Sequence, residues 1–225
     1  MPKLRVALEF AHSLLMGGQT GAILIDITTA REPSGVPMIP ASALKGSLRV
    51  AFERLLGGLG EPVCHLSHPD QACPPNSRCL CCQLFGAPGW NGILRFQNAR
   101  LNETLRPLFT KRASDDQMEV PSGLGYSLRP GVAINRGRKV AEDAFLYTAE
   151  IVSGMPRDDT TVPLMFMADI EILGSLPEPD RYLLLLQVAA QNLTALGASK
   201  SQGLGRVDVS LEYLADDESH NSPIS

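Results

Sequence analysis

The chain has little of several features that mark specialised protein classes. Its 225 residues carry no excess of positive charge, since 20 Lys and Arg stand against 24 Asp and Glu for a net charge of −4. That balance excludes a general attraction to nucleic acid and leaves only local basic patches for such a role. A run of leucines at 183–186 is far too short to span a bilayer. No apolar block follows the first residues, so we expect no signal peptide and a cytoplasmic protein.

Cysteine is absent outside one short segment. All five cysteines lie between positions 64 and 82, and in a reducing compartment such clustering favours metal binding over disulfides. A tetrahedral structural zinc site needs four converging ligands, and the candidates are Cys64, Cys73, Cys79 and Cys82. Either His65 or His68 can take the place of Cys64, and buried free thiols are the alternative to a metal. Likewise, Cys81 can take the place of Cys82. No H-x-E or H-E-x-x-H motif accompanies the cysteines, which argues against a catalytic zinc.

Hydrophobic periodicity predicts an α+β fold. Alternation over residues 4–10 predicts a strand, and apolar residues three or four apart predict a helix over about 41–56. The later predicted elements are strands at 92–97, 145–152 and 161–173, a helix over about 180–196 and a strand at 206–213. This order matches a ferredoxin-like (RRM-like) βαββαβ core in one domain, 1–214, with a zinc-binding insert at 61–86 and a projecting loop or hairpin at 102–144. The acidic tail, 215–225, is expected to be disordered.

The first predicted helix begins with a sequence suited to an anion. Pro40 and Ser42 mark a helix N-terminus, where free backbone N–H groups and the helix dipole favour a phosphate. Lys45 and Arg49 share a polar face with Ser42. The alternative is an ordinary amphipathic helix whose cations are solvated.

A second candidate anion site is the glycine-rich loop 197–206, which carries Lys200 and Arg206 and no acidic residue. Glycines allow close approach of the backbone to phosphate oxygens. The spacing differs from that of a P-loop, which argues against a nucleotide triphosphatase. Such a loop also serves as a simple turn between a helix and a strand. Between the two sites, residues 120–141 contain only basic charges, among them Arg136 and Arg138.

Several sequence blocks together resemble one family. They are Gly17-Gly18, Asp26, the block Pro37-Met-Ile-Pro-Ala-Ser-Ala-Leu-Lys-Gly-Ser-Leu-Arg49, Leu84-Phe-Gly86 and Gly203-Leu-Gly-Arg-Val207. In this order they resemble the RAMP superfamily of CRISPR-associated proteins and, more narrowly, the backbone subunits of type III effector complexes. The resemblance covers about residues 4–214, and Ala41 stands where the family's helix block usually has Gly.

The resemblance implies an RRM-like subunit that stacks along a CRISPR RNA and carries a thumb-like β-hairpin in the insert 102–144. The implied contacts with the guide backbone are Gly17, Gly18, Ser42, Lys45, Arg49, Lys200 and Arg206, and Arg136 and Arg138 are thumb or target-side candidates. Binding the backbone without reading bases suits a variable guide. The implied partners are CRISPR RNA, single-stranded target RNA, other effector subunits and further copies of this chain, with no membrane.

Asp26 carries the enzymatic question. In family members that cut target RNA, an aspartate lies between the first strand and the Pro-rich approach to the helix, as Asp26 does here. The resemblance therefore implies Asp26 as a catalytic residue in Mg²⁺-dependent cleavage by a 2′-hydroxyl. A solvated or capping aspartate is the other interpretation, which would leave a guide-binding scaffold without chemistry. A guide-processing endoribonuclease fits less well, because those enzymes usually use histidine and no histidine is well placed here.

Overall fold

The computed structural model describes most of the chain. The described residues are 2–11, 13–17, 26–64, 73–74, 77–110, 125–135, 137–153, 155–157, 160–176 and 178–214. Several predicted features lie outside these ranges, namely Gly18, Arg136, His65, His68 and the tail 215–225.

The described residues form ten strands and four α-helices. The strands are β1 (Lys3–Phe10), β2 (Met38–Ile39), β3 (Leu94–Phe96), β4 (Ala99–Leu101), β5 (Tyr126–Asn135), β6 (Val140–Val152), β7 (Met155–Arg157), β8 (Thr160–Val162), β9 (Leu164–Ile172) and β10 (Val207–Leu214). The helices are α1 (Ala41–Gly58), α2 (Leu80–Phe85), α3 (Arg106–Thr110) and α4 (Pro179–Gln191). Among the described residues, no helix is long and apolar enough to cross a membrane.

The main sheet is antiparallel and has the order β10-β1-β9-β4-β2, with β3 also paired to β9. Strand β1 is an interior strand, because it bonds to β9 on one side and to the edge strand β10 on the other. Its alternate side chains Leu4, Val6, Leu8 and Phe10 are buried, as the alternating pattern predicts. Helices α1 and α4 pack against each other, α4 packs against β10, and α1 packs against β3. The predicted α+β class is confirmed.

Three predictions differ most from the observed elements, and one of them is the predicted strand 161–173, which is divided between β8 and β9 in two different sheets. Helix α4 ends at Gln191, although Leu193 and Leu196 beyond it are buried and continue the apolar pattern. Strand β6 begins at Val140, so the predicted strand 145–152 is the second half of a longer strand. Its first half pairs with the outer half of β5, where Ile134 is exposed. An apolar side chain in solvent breaks the alternation on which strand prediction depends.

Candidate functional site

Residues 26–31 lie between the loop 13–17 and the base of the β5–β6 hairpin. The backbone N–H groups of Asp26 and Ile27 donate to the Thr148 carbonyl oxygen at 3.0 and 3.2 Å. On the other side, the Ala30 N–H donates to the Met16 carbonyl oxygen at 2.9 Å, and Gly17 pairs with Thr29. These bonds place Asp26 beside the β5–β6 hairpin, although the hairpin is distant from Asp26 in the sequence.

The Asp26 carboxylate makes one hydrogen bond to the hairpin. Its Oδ2 atom accepts the Thr148 backbone N–H at 2.7 Å. The residue is exposed, and the described residues give its Oδ1 atom no partner. Asp26 therefore caps one strand amide and still presents a carboxylate oxygen to solvent.

The glycine-rich loop folds back on the loop 13–17. The N–H of Ala198 donates to the Leu15 carbonyl oxygen at 2.8 Å, and the N–H of Gly205 donates to the Ser13 carbonyl oxygen at 2.9 Å. At Gly205, φ is +72°, and an added Cβ would lie 2.0 Å from the Leu196 carbonyl oxygen. Glycine is therefore required at this position for backbone packing within the protein, not for the approach of a ligand. Gly203 differs, because a Cβ there would meet no atom within 4 Å.

A small apolar cluster joins these segments. It contains Leu15, Ala149 and Leu204, with Ile27 and Ile151 packed against it. Each segment contributes at least one member, so the structure brings together the loop 13–17, residues 26–31, the hairpin base 148–152 and the glycine-rich loop. We call these four segments the junction. Gly17, Asp26, Lys200 and Arg206 all belong to it, and both cations are exposed.

Glu150, a buried acid that was not among the candidate residues from the sequence, connects the hairpin to residues 26–31 of the junction. Glu150 is 1% exposed. Its Oε2 atom accepts the Thr29 backbone N–H at 3.1 Å, and its Oε1 atom accepts a hydrogen bond from the Arg31 guanidinium. Arg31 also stacks over the Tyr126 ring, 4.2 Å from its centroid. The one feature of the sequence that could have indicated this role is the position of an acidic residue near the otherwise apolar end of a strand.

We expect Glu150→Ala to lower the free energy of unfolding by about 2 kcal/mol, because it leaves a buried amide and a half-buried guanidinium without their partner. Urea unfolding measures this decrease. The matched control is Asp169→Ala, which breaks a more exposed pair with Arg5 and should cost less than about 1 kcal/mol. Equal decreases in both variants would contradict a special role for Glu150.

The predicted cations of α1 lie on a different surface from Lys200. Ser42, Lys45 and Arg49 line a groove of about 720 Å³ between α1 and the turn 86–92, which we call the insert-side groove. Lys200 lines a second groove of about 680 Å³ on another flank of α1, together with Arg54. The N-terminal amide of α1 is already engaged, because the Ala41 N–H donates to Asn98 Oδ1 at 2.8 Å.

Arg49 is largely committed to contacts within the protein. Its guanidinium donates to Glu53 Oε1 at 2.7 Å, to the Gly86 carbonyl oxygen at 2.6 Å and to Cys82 Sγ at 3.7 Å. The side chain is 14% exposed. These contacts connect α1 to the cysteine segment and leave the guanidinium little surface for a phosphate.

Four cysteine sulfur atoms converge within 4.8 Å of one another, and they belong to Cys64, Cys73, Cys79 and Cys82. The Cys64 and Cys82 sulfurs are 3.1 Å apart, and the Cys79 N–H donates to Cys73 Sγ at 3.2 Å. Helix α2 begins directly after Cys79. Cys81 instead points to Glu53, with its Sγ 3.5 Å from Oε1. An all-sulfur set of this kind can hold a metal such as zinc.

The acidity of these thiols differs with their surroundings. Burial raises the pKa of the Cys79 thiol, but hydrogen bonds from the backbone amides of Cys64 and Cys82 outweigh it and lower the pKa to about 7. Burial raises the pKa of the Cys81 thiol strongly, although Arg49 opposes the shift. The Cys79 thiol thus becomes a thiolate, the form that binds metal, more readily than the Cys81 thiol.

Comparison with known proteins gives one family. The model of the RAMP superfamily matches residues 7–208, a range that runs from β1 to β10 and contains the junction and the cysteine cluster. No curated protein matches the chain. The chain therefore belongs to the RAMP superfamily, and this membership indicates a CRISPR-associated role in RNA binding.

Proposed function

We propose that this protein is a backbone subunit of a type III CRISPR effector complex, which binds CRISPR RNA and cleaves the target RNA paired with it. The observation that carries this proposal is the junction, where Asp26 lies at the base of a hairpin and its neighbour Ile27 packs against the apolar cluster that includes Leu204 of the glycine-rich loop. A hairpin that displaces a target nucleotide would leave the adjoining phosphate close to that carboxylate. Other effector subunits and further copies of this chain would complete the complex.

We interpret the core of residues 1–214 as ferredoxin-like, or RRM-like. Four strands support this when they are taken in chain order as β1, β4 with β3, β9 and β10. Their order across the sheet is then fourth, first, third, second, and every pair is antiparallel. The helices α1 and α4 follow the first and third of these strands, as a βαββαβ unit requires.

The guide would be held through its phosphates. Lys200 and Arg206 are exposed at the junction, and the open backbone at Gly203 allows close approach there. On the other surface, Ser42 and Lys45 face the insert-side groove. Cations and backbone N–H groups bind RNA without reading its bases, which is what a variable guide requires.

We propose that cleavage depends on the Asp26 carboxylate and Mg²⁺. Mg²⁺ is commonly held by one or two carboxylates together with substrate phosphates, and one free oxygen on Asp26 fits that pattern. The ion would stabilise the charge that develops on the phosphate. The Thr148 N–H binds Oδ2, which leaves Oδ1 exposed to solvent and available for such an ion. In this cleavage, a 2′-oxygen to phosphorus bond forms as the bond to the 5′-oxygen breaks; the 2′-hydroxyl loses its proton and the 5′-oxygen gains one.

A scaffold subunit without chemistry is the second candidate, and the contact of Asp26 Oδ2 with Thr148 favours it. In that case the carboxylate would only cap a strand. An assembled complex that binds matched target RNA but never cuts it in Mg²⁺ would support the scaffold. Cutting of repeat RNA alone, without metal, would instead indicate a guide-processing endoribonuclease.

We further propose a structural zinc ion on Cys64, Cys73, Cys79 and Cys82. The convergence of four sulfur atoms supports this choice, as does the position of Cys81 outside the group. Arg49, which donates to Cys82 Sγ, would balance part of the thiolate charge.

The junction cations make a direct prediction. We expect the double variant Lys200→Ala/Arg206→Ala to bind single-stranded RNA about tenfold more weakly and to show a less steep salt dependence, by about 0.7 in slope for each phosphate that is no longer neutralised. Fluorescence anisotropy over a range of salt concentrations measures both. Arg181→Ala is the control, because Arg181 is paired with Glu61 on the surface of the protein. An unchanged slope in the double variant would place the guide elsewhere.

A further inference from the structure

The insert-side groove combines basic side chains with an exposed aromatic side chain. Its walls are the start of α1 with Ser42 and Lys45, the turn 86–92, and the strand that carries Arg95. None of the described residues that line it is acidic. Among the described residues, Arg95 is paired with Glu171 alone, at 3.5 Å and on the surface, so its charge and that of Lys45 contribute a positive potential to the groove.

Trp90 stands in this groove as an exposed aromatic platform. It is the only tryptophan of the chain, and it is 46% exposed. The Arg78 guanidinium lies 3.4 Å from the centroid of its ring and covers one face. An aromatic ring has a second face, and the exposure of Trp90 leaves surface free for another flat group.

The turn that carries Trp90 is held firmly. Ala87 and Trp90 exchange backbone hydrogen bonds of 3.0 and 2.8 Å. Gly86 has a φ of +86°, and a Cβ there would lie 2.8 Å from the Gly92 backbone nitrogen. The carbonyl of Gly86 also accepts the hydrogen bond from Arg49. The indole is thus positioned before any ligand binds, which lowers the entropic cost of stacking.

We propose that one unpaired base of the bound RNA stacks on Trp90, and that the adjoining phosphate is held by Lys45 and Arg95. This inference rests on the proposed RNA binding and adds a base contact outside the junction. Aromatic stacking accepts any base, since every base has a flat π face, so the contact is compatible with a variable sequence. The occupant is single-stranded RNA because the groove combines an aromatic surface with cations and no acid.

The single tryptophan provides the test. Titration of the full chain with single-stranded oligoadenylate should quench its intrinsic fluorescence, with the same midpoint as binding measured by anisotropy. Inorganic polyphosphate, which offers charge without bases, should compete for the cations but leave the fluorescence nearly unchanged.

Variants separate stacking from folding. Trp90→Leu should weaken oligoadenylate binding about tenfold, the usual effect of removing one base-stacking side chain, whereas Trp90→Phe should retain most of the affinity. Tyr213→Leu removes an aromatic residue of similar exposure on β10 and should have no effect. Retention of the wild-type melting temperature by Trp90→Phe checks that the turn remains folded.

The outcomes distinguish the two proposals. RNA binding by anisotropy without fluorescence quenching, and with full affinity in Trp90→Leu, would overturn the stacking site and leave RNA binding intact. A folded chain that binds no RNA by anisotropy would overturn the proposed function and the stacking site together. Quenching with a matched midpoint and a selective decrease of affinity in Trp90→Leu would establish the site.

Discussion

Replacement of Asp26 by alanine is expected to abolish cleavage of guide-paired target RNA while RNA affinity stays within about twofold. The carboxylate is the proposed Mg²⁺ ligand of the junction, and loss of a group that stabilises charge on the reacting phosphate typically costs at least about 10²- to 10³-fold in rate. The proposed RNA contacts belong to other residues. The measurement is the rate of target cleavage by the assembled complex in Mg²⁺, alongside target binding by anisotropy.

The variant Asp26→Asn separates catalysis from capping. An asparagine oxygen can still accept the Thr148 N–H, which now bonds to Oδ2, but it carries no charge for a cation. If Asp26 acts in catalysis, this variant is as inactive as the alanine variant. If Asp26 only caps the strand, the Asp26→Asn variant cleaves target RNA at the wild-type rate. Asp208→Ala, at an exposed carboxylate on β10, should cleave at the wild-type rate.

The helices and strands of the core were predictable because buried side chains recur at regular intervals in the sequence. The alternation in β1 and the apolar stripe of α1 correspond to side chains that face the core. The end of α4 was not predictable in this way. Leu193 and Leu196 are buried although they lie in the irregular segment after α4, and burial alone does not distinguish such a segment from a helix.

The contacts in the candidate site show more clearly what local sequence patterns cannot predict. Sequence spacing placed Arg49 beside Lys45 on one helix face, but the guanidinium bonds to Cys82 and Gly86, more than 30 residues away. The role of Glu150 depends on Thr29 and Arg31, which lie on a distant segment. Such contacts exist only after the chain has folded, so no periodicity in one segment reveals them.

The cysteine segment lies between these extremes. Clustering and spacing predicted the four cysteines that converge in the structure, whereas setting aside the alternative ligand Cys81 required the start of α2. Cys79 precedes the helix and Cys82 lies within it, so both reach the sulfur cluster while Cys81 is turned toward Glu53. His65 and His68 lie outside the described residues.

Replacement of the proposed ligand Cys82 should therefore abolish zinc binding, whereas replacement of the neighbouring Cys81 should not. We expect Cys82→Ser to lose bound zinc and to lower the melting temperature by about 10 °C, because metal binding supplies folding free energy to a segment poor in apolar residues. Cys81→Ser, in the same helix, should retain zinc, since a hydroxyl can still donate to Glu53. Metal analysis of the purified protein and thermal unfolding measure the two effects.

Acidification provides an independent check of the same site. Zinc binds the thiolate form of cysteine, so protons compete with the metal and its release to a chelator should become faster as the pH falls. Buried free thiols make the opposite set of predictions: no bound zinc, no effect of a chelator on melting, and similar decreases in melting temperature in Cys82→Ser and Cys81→Ser. The pair of serine variants thus decides between a metal that organises the insert and thiols that are only packed there. If zinc organises the insert, its removal should also disturb the turn 86–92, because Arg49 joins Cys82 to Gly86, and the emission of Trp90 should shift.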